Sequence, residues 1–456
     1  MSAVGRVGAA RHEVDGTGLV LAPGFVDVHT HDDTALISHP GMEFKVAQGC
    51  TSVVIGNCGF SAAPSTPGEP EPSGLFDVTP TWCDVDGLAE RVAEAGPAVN
   101  AITLVGHNSV RSLVMEDHER APTTAELDHM RRLVAHAMAS GACGFSTGLV
   151  YEPGRYSQTD EIVALATEAA GYDGLYATHL RNEWDKLLEA IEEAITIGDR
   201  SGCSVQISHH KSAGANNWGR VADSLARIDR ANAEGSDITL DVYPYTAGSG
   251  PMAQYFDLDD IDPELAEVIR FASCPAFRHY EGRMAVDIAT EFGCTAVDVI
   301  RQVLTAPEGA RTICIKFIID EGDIETNLRH ELMMVGSDGL PDLDSSPHPR
   351  LFGTFPRILG HYVREKRILS MEDAVRRMTS LSCRRFGLVD RGLVAEGYYA
   401  DLVLFDPISV VDTATFDDPK QEPLGIHSVY VNGSETVSPA GHTGKHRGRF
   451  LRYRKP

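Results

Sequence analysis

The stretch that decides the fold is Leu21-Ala-Pro-Gly-Phe-Val-Asp-Val-His-Thr-His-Asp-Asp33, in which a short apolar run leads directly into two histidines. Side chains alternate between the two faces of a β-strand, so His29 and His31 would point to the same side of a strand here. Two neutral imidazoles that converge at one strand end can bind a divalent metal ion. The stretch therefore predicts a strand that carries part of a metal site, as in a metallohydrolase.

Short β-branched or apolar runs recur along the chain, and most of them are followed by a segment with helical periodicity. The eight runs cover residues 25–28, 52–55, 101–105, 144–146, 175–177, 204–207, 238–242 and 333–335. Strand–helix alternation repeated this often implies parallel strands joined by right-handed crossovers. The alternation alone leaves open a closed (β/α)8 barrel or an open doubly wound sheet.

The residues that follow the runs favour the barrel. The runs lead into His29 and His31, Cys58, His107, Ser146, His179, His209, Tyr243 and Asp338. Barrel enzymes carry their chemistry on residues at the carboxyl ends of several different strands. We therefore predict an α/β fold, a (β/α)8 TIM-like barrel of the metal-dependent hydrolase type.

The spacing of the runs also predicts the domain organisation. About 90 residues separate the seventh and eighth runs, far more than a normal connection, so we expect an inserted lid subdomain at about 250–308. The barrel would cover residues 25–390. Residues 1–24 and 391–456 would together form a small β-sandwich domain, with strands at 400–406 and 428–433.

Composition excludes several classes of partner. There are 40 Lys and Arg residues against 65 Asp and Glu, a formal charge of -25, which disfavours nucleic acid. No apolar run approaches the ~20 residues that span a bilayer, and we expect neither a membrane partner nor a signal peptide. The nine cysteines include no Cys-x-x-Cys pair, which favours free thiols in a cytoplasmic protein. The oligomeric state stays open.

Six residues that end predicted strands are candidate metal ligands. They combine imidazole, thiol and carboxylate groups, which are the ligand types of zinc, and a soft thiolate favours zinc over Mg²⁺ or Ca²⁺. The six are His29, His31, Cys58, His179, His209 and Asp338.

Other readings of these segments compete with the metal site. Cys58 lies in Asn57-Cys58-Gly59 and could be a nucleophile, but this would leave the convergent histidines and Asp338 unexplained. The motif around Ser146 matches Gly-x-Ser-x-Gly of serine hydrolases, whose histidine the metal site would already use. For His107 a structural or supporting role is favoured over ligation. His210 must point away from His209 and is expected to pack.

With these motifs the chain resembles a known family, the N-acyl-D-amino-acid deacylases (D-aminoacylases) of the amidohydrolase superfamily. The resemblance covers nearly the whole chain. The Asn-Cys-Gly and Ser-His-His-Lys segments are far more specific than His-x-His. The matching motifs are Pro-Gly-Phe-Val-Asp-Val-His-Thr-His-Asp-Asp, Gly-Asn-Cys-Gly-Phe-Ser-Ala-Ala-Pro, Ala-Thr-His-Leu-Arg-Asn-Glu, Ile-Ser-His-His-Lys, Asp-Val-Tyr-Pro-Tyr, Gly-Ser-Asp-Gly-Leu-Pro and Pro-His-Pro-Arg-Leu-Phe-Gly-Thr-Phe-Pro-Arg.

The resemblance implies zinc-dependent hydrolysis of the amide bond of N-acyl-D-amino acids. It implies one tightly bound zinc ion, with a second, weaker site possible, and Asp338 as general base. The tight site would use Cys58, His179 and His209, and the weaker one His29, His31 and Asp338, with Cys58 shared. The substrate's α-carboxylate would be bound by Lys211, Tyr243 and Arg350, with Tyr151 and Ser249 as further members.

The resemblance has one departure and leaves two alternatives open. Relatives usually carry several more N-terminal strands, whereas about 20 residues precede Pro23 here, so the N-terminal part of the small domain is expected to be short. A cyclic-amide hydrolase of the hydantoinase or dihydroorotase type would need a bridging carboxylated lysine. A catalytically inactive amidohydrolase-like binding protein would typically have lost ligands, and here all six are present.

Overall fold

The eight predicted runs are all strands of one parallel sheet. A computed structural model of the chain describes residues 1–5, 8, 13–70 and 75–453. Its strands, in chain order, are β1 Val20–Pro23, β2 Phe25–Asp27, β3 Cys50–Ile55, β4 Asn100–Gly106, β5 Gly144–Gly148, β6 Leu175–His179, β7 Ser204–Ile207, β8 Ile238–Val242, β9 Gly248–Pro251, β10 Ile269–Ser273, β11 Ile313–Lys316, β12 Met333–Val335, β13 Leu402–Phe405, β14 Ile426–Val431, β15 Ser434–Ser438 and β16 Gly441–His442.

The parallel sheet is a nearly closed barrel. Its strand order is β12-β8-β7-β6-β5-β4-β3-β2. Just beyond the two edge strands β2 and β12, Thr30 and Gly339 form a parallel bridge, and the amide of His31 donates to the carbonyl of Gly339 at 3.2 Å. The predicted barrel is confirmed, and its closure lies beside the His29-Thr-His31 segment.

Helices connect the barrel strands and cover the outside of the barrel. A π-helical turn at Ile358–Glu365 continues α13. The helices, in chain order, are α1 Ala35–Ser38, α2 Glu43–Val46, α3 Val85–Ala95, α4 His107–Val114, α5 Thr124–Ala139, α6 Thr159–Ala170, α7 Leu187–Ser201, α8 Val221–Glu234, α9 Pro263–Glu267, α10 Ala285–Phe292, α11 Ala296–Thr305, α12 Glu321–Arg329, α13 Arg350–Arg357, α14 Met371–Met378 and α15 Ser380–Arg385.

Local sequence explains where these helices begin and end. Thr123 and Glu126 form a reciprocal capping box at the start of α5, an arrangement that contributes about 1 kcal/mol. Gly202, with φ +78°, ends α7 in the left-handed conformation that glycine tolerates best. The α7 helix begins at Leu187, after a turn in which the Asn182 side chain accepts hydrogen bonds from the backbone amides of Trp184 and Lys186.

A small antiparallel sheet is inserted after the seventh barrel strand. Strands β10, β11 and β9 pair in that order, and α9, α10 and α11 are part of the same insertion. The sheet extends on both sides of the predicted lid at 250–308, because β9 begins at Gly248 and β11 ends at Lys316. Both of these strand ends lie at the cavity described below.

A second small sheet joins the two ends of the chain. Its five strands follow the order β1-β13-β14-β15-β16, all antiparallel, and β1 is the N-terminal contribution. In the described residues this is a single sheet, whereas the sequence predicted a sandwich. The sheet packs directly on the barrel, with Phe405 6.3 Å from Phe25 between ring centroids, so a second sheet is not needed to cover it.

The remaining domain predictions concern boundaries and exclusions. The division at 1–24, 25–390 and 391–456 stays a prediction, and residues 6, 7, 9–12 and 454–456 of the terminal segments lie outside the described residues. All nine cysteines are free thiols. Across the described ranges no helix combines the length and apolar character needed to cross a membrane.

Candidate metal centre and substrate cavity

The six predicted ligands meet at the carboxyl end of the barrel, and all six are buried. Three of them have a left-handed backbone, with φ of +53° at Cys58, +35° at His209 and +50° at Asp338. Such a conformation costs a residue other than glycine about 1–3 kcal/mol and persists where the surrounding structure enforces it. Here it turns the side chain inward just after the strand ends.

The thiol of Cys58 is the centre of the cluster. Its Sγ lies 3.3 Å from Nε2 of His29, 3.7 Å from Nδ1 of His179 and 3.4 Å from Nε2 of His209. Three imidazoles around one sulfur favour a metal ligand over a nucleophile, which needs one base and open access to substrate.

Asp338 closes the cluster on the side of the first strand. Its Oδ1 lies 3.2 Å from Nε2 of His31 and 3.5 Å from Nε2 of His29. The donor atoms of His29, Cys58, His209 and Asp338 all lie within 4.8 Å of one another. His31 is outside this tightest group and contacts it through Asp338.

The donor set fits zinc in both chemistry and spacing. Bonds of about 2.0–2.3 Å in a tetrahedral site separate the donors by roughly 3.3–3.8 Å. The three sulfur–nitrogen distances around Cys58, from 3.3 to 3.7 Å, fall in this range. A second group of donors, His179, Glu183 and His209, overlaps the first at His209.

Two carboxylates that sequence reasoning missed lie behind the histidines. Nδ1 of His29 lies 3.2 Å from Oδ1 of Asp241, and Nδ1 of His209 lies 3.1 Å from Oε1 of Glu183. Oε2 of Glu183 is 3.4 Å from Nε2 of His179. A carboxylate on the second nitrogen orients a metal-binding imidazole and makes it more basic. Both residues lie inside motifs noted above, four residues after His179 and at the end of the seventh strand, which is the signal that could have found them.

Neighbouring positive charges keep Cys58 and Asp338 ionised although both side chains are buried. Burial opposes ionisation of Cys58, but the charges of His29 and His209 hold the pKa of the thiol well below its usual value. Burial likewise opposes ionisation of Asp338, and the Arg350 guanidinium holds its pKa well below the usual range. A thiolate and a carboxylate are the forms that bind a metal ion.

Four of the five predicted carboxylate-binding residues line a cavity beside this cluster, and the fifth, Arg350, is fully buried against the ring of Tyr243. The Arg350 guanidinium lies 4.5 Å above the ring of Tyr243, and its Nη2 donates to the carbonyl of Ser249 at 3.3 Å. Nζ of Lys211 donates to Oε1 of Glu183 at 2.6 Å. The structure thus brings Arg350, Lys211 and Tyr243 together on one wall.

Tyr151 and Ser249 also line the cavity. The Tyr151 ring packs edge-on against His179 at 4.7 Å between centroids, and its hydroxyl is 2.9 Å from that of Tyr255. The cavity is lined by Val150, Tyr151, His179, Glu183, Trp184, His209, Lys211, Tyr243, Gly248, Ser249, Tyr255, Lys316, Ile318 and Asp338.

The competing residues have structural partners. Nε2 of His107 is 2.8 Å from Glu161. The hydroxyl of Ser146 donates to the carbonyl of Gly56 and accepts from the amide of Gly59, so it supports the turn that carries the cysteine. His210 points away and contacts Asn327 and Ser224.

The amidohydrolase family model matches residues 12–273 and 226–437 of the chain. A D-aminoacylase from Alcaligenes xylosoxydans xylosoxydans is 44% identical over 451 residues, 97% of this chain and 89% of that protein. The chain belongs to the N-acyl-D-amino-acid deacylases of the amidohydrolase family.

Solved structures agree with this deacylase family. N-acyl-D-glutamate deacylase from Bordetella bronchiseptica, complexed with zinc and a phosphonate mimic of the tetrahedral intermediate, has a TM-score of 0.90 at 40% identity, covering 99% of this chain and 93% of that one. A D-aminoacylase described by its binuclear metal centre, with one-metal activation and second-metal attenuation, has a TM-score of 0.91 at 41% identity, covering 99% and 94%.

Proposed function

We propose that this chain hydrolyses the amide bond of N-acyl-D-amino acids with the help of zinc, releasing a carboxylic acid and a free D-amino acid. The observation that carries the proposal is the Cys58 thiol, surrounded by three histidines and next to a wall with two cations. The deacylases related to this chain act on the same substrate class.

For the metal, we infer one tight site at Cys58, His179 and His209. A second, weaker site would use His29, His31 and Asp338, with the thiolate shared. The spacing of the imidazole nitrogens around Sγ, and the contacts of Asp338 with His29 and His31, support two neighbouring positions. Zinc, when bound, supplies a Lewis acid that acidifies water and polarises the amide carbonyl.

Asp338 is the residue proposed to move the proton. Its low pKa keeps it ionised and able to accept a proton from the attacking water as the new C–O bond forms. It then donates that proton to the amide nitrogen as the C–N bond breaks. The contact with His31 at 3.2 Å holds one carboxylate oxygen in place while the other stays paired with Arg350.

The α-carboxylate of the substrate would be bound next to the metal cluster, at the wall formed by Arg350, Lys211 and Tyr243. Arg350 offers a planar pair of donors, and Lys211 offers a compact charge. The Tyr243 ring lies under the guanidinium at 4.5 Å and restricts its movement. The hydroxyl of Tyr151 and the backbone of Ser249 would complete the wall.

A hydrolysis screen tests the function. Zinc-loaded protein is incubated with N-acetyl-D- and N-acetyl-L-amino acids, and in parallel with hydantoin and dihydroorotate, before and after chelation. We expect turnover of D-isomers that chelation abolishes. Turnover of L-isomers alone, or of the cyclic amides alone, contradicts the proposal, and zinc-loaded protein with no turnover at all favours an inactive binding protein.

A further inference from the structure

A third cation, Lys316, lies in the cavity without an anionic partner. It is the last residue of β11, its side chain is 5% exposed, and it lines the same cavity as Lys211 and Tyr243. Its backbone is paired in register with Gly248 at the start of β9. The inserted sheet therefore places this lysine at the substrate.

Lys211, which also lines the cavity, and Arg350, which is buried beside it, are already paired with carboxylates, whereas Lys316 is not. Lys211 contacts Glu183 at 2.6 Å, and Arg350 contacts Asp338 at 2.9 Å. Within residues 13–70 and 75–453 no carboxylate lies within ion-pairing distance of Nζ of Lys316, which instead sits 3.1 Å from the centre of the Tyr255 ring.

An unpaired buried cation is energetically unfavourable unless a ligand supplies the opposite charge. Burial is the main cause that lowers the pKa of Lys316, to about 7, and the charges of Lys211 and Arg350 act in the same direction. A face of an aromatic ring compensates only part of the lost hydration. An anionic ligand would supply the negative charge that none of the described protein groups places next to Lys316.

The position of Lys316 indicates which part of a substrate it faces. Lys211 and Arg350 both contact the ring of Tyr243, at 5.8 and 4.5 Å from its centre, whereas Lys316, on the inserted sheet, lies over the ring of Tyr255. Cα of an N-acyl amino acid carries the scissile amide, the α-carboxylate and the side chain, so once the amide faces the metal and the carboxylate lies near Tyr243, the side chain is the group left to meet Lys316. The free cation is therefore on the side-chain side of the substrate.

We propose that Lys316 binds the carboxylate of an acidic side chain, so that this chain prefers N-acyl-D-glutamate or N-acyl-D-aspartate to neutral D-substrates. The inference rests on the proposed deacylase function and names its substrate class. Lys316 contacts substrate away from the reacting atoms, so its contribution appears as discrimination between side chains and leaves the hydrolytic step itself unchanged.

Matched pairs of substrates test this assignment directly. The kcat/KM of the zinc-loaded protein is measured for N-acetyl-D-Glu against N-acetyl-D-Gln and for N-acetyl-D-Asp against N-acetyl-D-Asn, which differ by little more than the charge. We expect at least one acidic substrate to be preferred by about 100-fold, as for a buried charge pair. In Lys316→Met that preference should vanish, so that the acidic and the neutral member of each pair are hydrolysed with kcat/KM values within about threefold of each other.

Two further variants separate charge from folding. Lys316→Arg keeps the cation and should retain a preference for the acidic partner. Lys186→Met removes an exposed lysine outside the cavity and should leave the preference unchanged. Zinc content and thermal unfolding are measured for each variant. If Lys316→Met does not fold, the wild-type and Lys316→Arg comparisons still decide the question.

The same measurements separate the role of Lys316 from the deacylase activity. Hydrolysis of neutral D-substrates with no preference for the acidic partner overturns the role of Lys316 and leaves the deacylase function intact. A preference that follows a charged acyl group, tested with N-succinyl- against N-acetyl-D-leucine, also overturns it. No hydrolysis of any N-acyl-D-amino acid overturns both.

Discussion

Nη1 of Arg350 lies 2.9 Å from Oδ2 of Asp338, so the cation proposed to hold the substrate is paired with the carboxylate proposed to move the proton. Both side chains are buried, which makes the pairing strong and its loss costly. If both roles hold, the ion pair would couple substrate binding to the ionisation of Asp338. In the proposed function, the α-carboxylate of a substrate would share the guanidinium with Asp338.

Arg350→Lys should therefore weaken binding more than it slows the chemical step. A lysine keeps the charge but cannot donate two parallel hydrogen bonds, and we expect KM to rise roughly 10- to 100-fold. The control is a substrate analogue in which the α-carboxylate is replaced by an amide. The wild-type protein and Arg350→Lys should hydrolyse this analogue with a similarly high KM. Equal losses on the acid and on its amide would contradict the assignment of Arg350.

Asp338→Asn should keep the tight zinc ion and lose turnover. The amide cannot accept the water proton, and kcat should fall by about 10²- to 10⁴-fold. Metal analysis should still find one zinc ion per chain, because Cys58, His179 and His209 are unchanged. A wild-type kcat in this variant would remove Asp338 as the base.

Asp241→Asn should weaken the second metal site selectively. Asp241 lies 3.2 Å from Nδ1 of His29, and loss of such a carboxylate typically costs about 10- to 100-fold in metal affinity. Zinc titration of the one-zinc protein measures the effect. Asp237→Asn, an exposed carboxylate just before the same strand, is the matched control. Unchanged second-zinc affinity in Asp241→Asn would contradict the role of His29.

The preference for acidic substrates should depend on pH. Lys316 carries its charge below its lowered pKa of about 7 and loses it above, so the ratio of kcat/KM for N-acetyl-D-Glu to that for N-acetyl-D-Gln should fall as pH rises through about 7. Using a ratio cancels ionisations common to both substrates. A ratio that does not change with pH would contradict the claim that the charge of Lys316 causes the preference. The groups that act on Lys316 are Cys314, Lys211, Arg350, Glu183 and the ring of Tyr255.

The barrel and the ligand types were predictable from sequence because both follow from local patterns. Apolar runs of strand length recur, and a ligand type at a strand end needs no knowledge of its partners. Asp241 and Glu183 were missed because the sequence does not show which carboxylate faces which histidine nitrogen. Lys316 was missed because its place depends on pairing between β11 and β9, which are more than 60 residues apart.

The single terminal sheet was beyond prediction for a similar reason. The runs at 400–406 and 428–433 predicted strands, which the structure has at Leu402–Phe405 and Ile426–Val431, but how many sheets they form depends on what covers their faces. Here Phe405 packs on Phe25 of the barrel, which buries the face that a second sheet would otherwise cover.

The central claim is that the Cys58 thiolate holds the zinc on which hydrolysis depends. The most direct measurement is zinc content together with N-acetyl-D-amino-acid hydrolysis in Cys58→Ala, compared with Cys143→Ala, which removes a buried thiol that donates to the carbonyl of Thr103. We predict that Cys58→Ala loses bound zinc and activity together while Cys143→Ala keeps both. A folded Cys58→Ala protein that retains zinc and wild-type turnover would contradict the account.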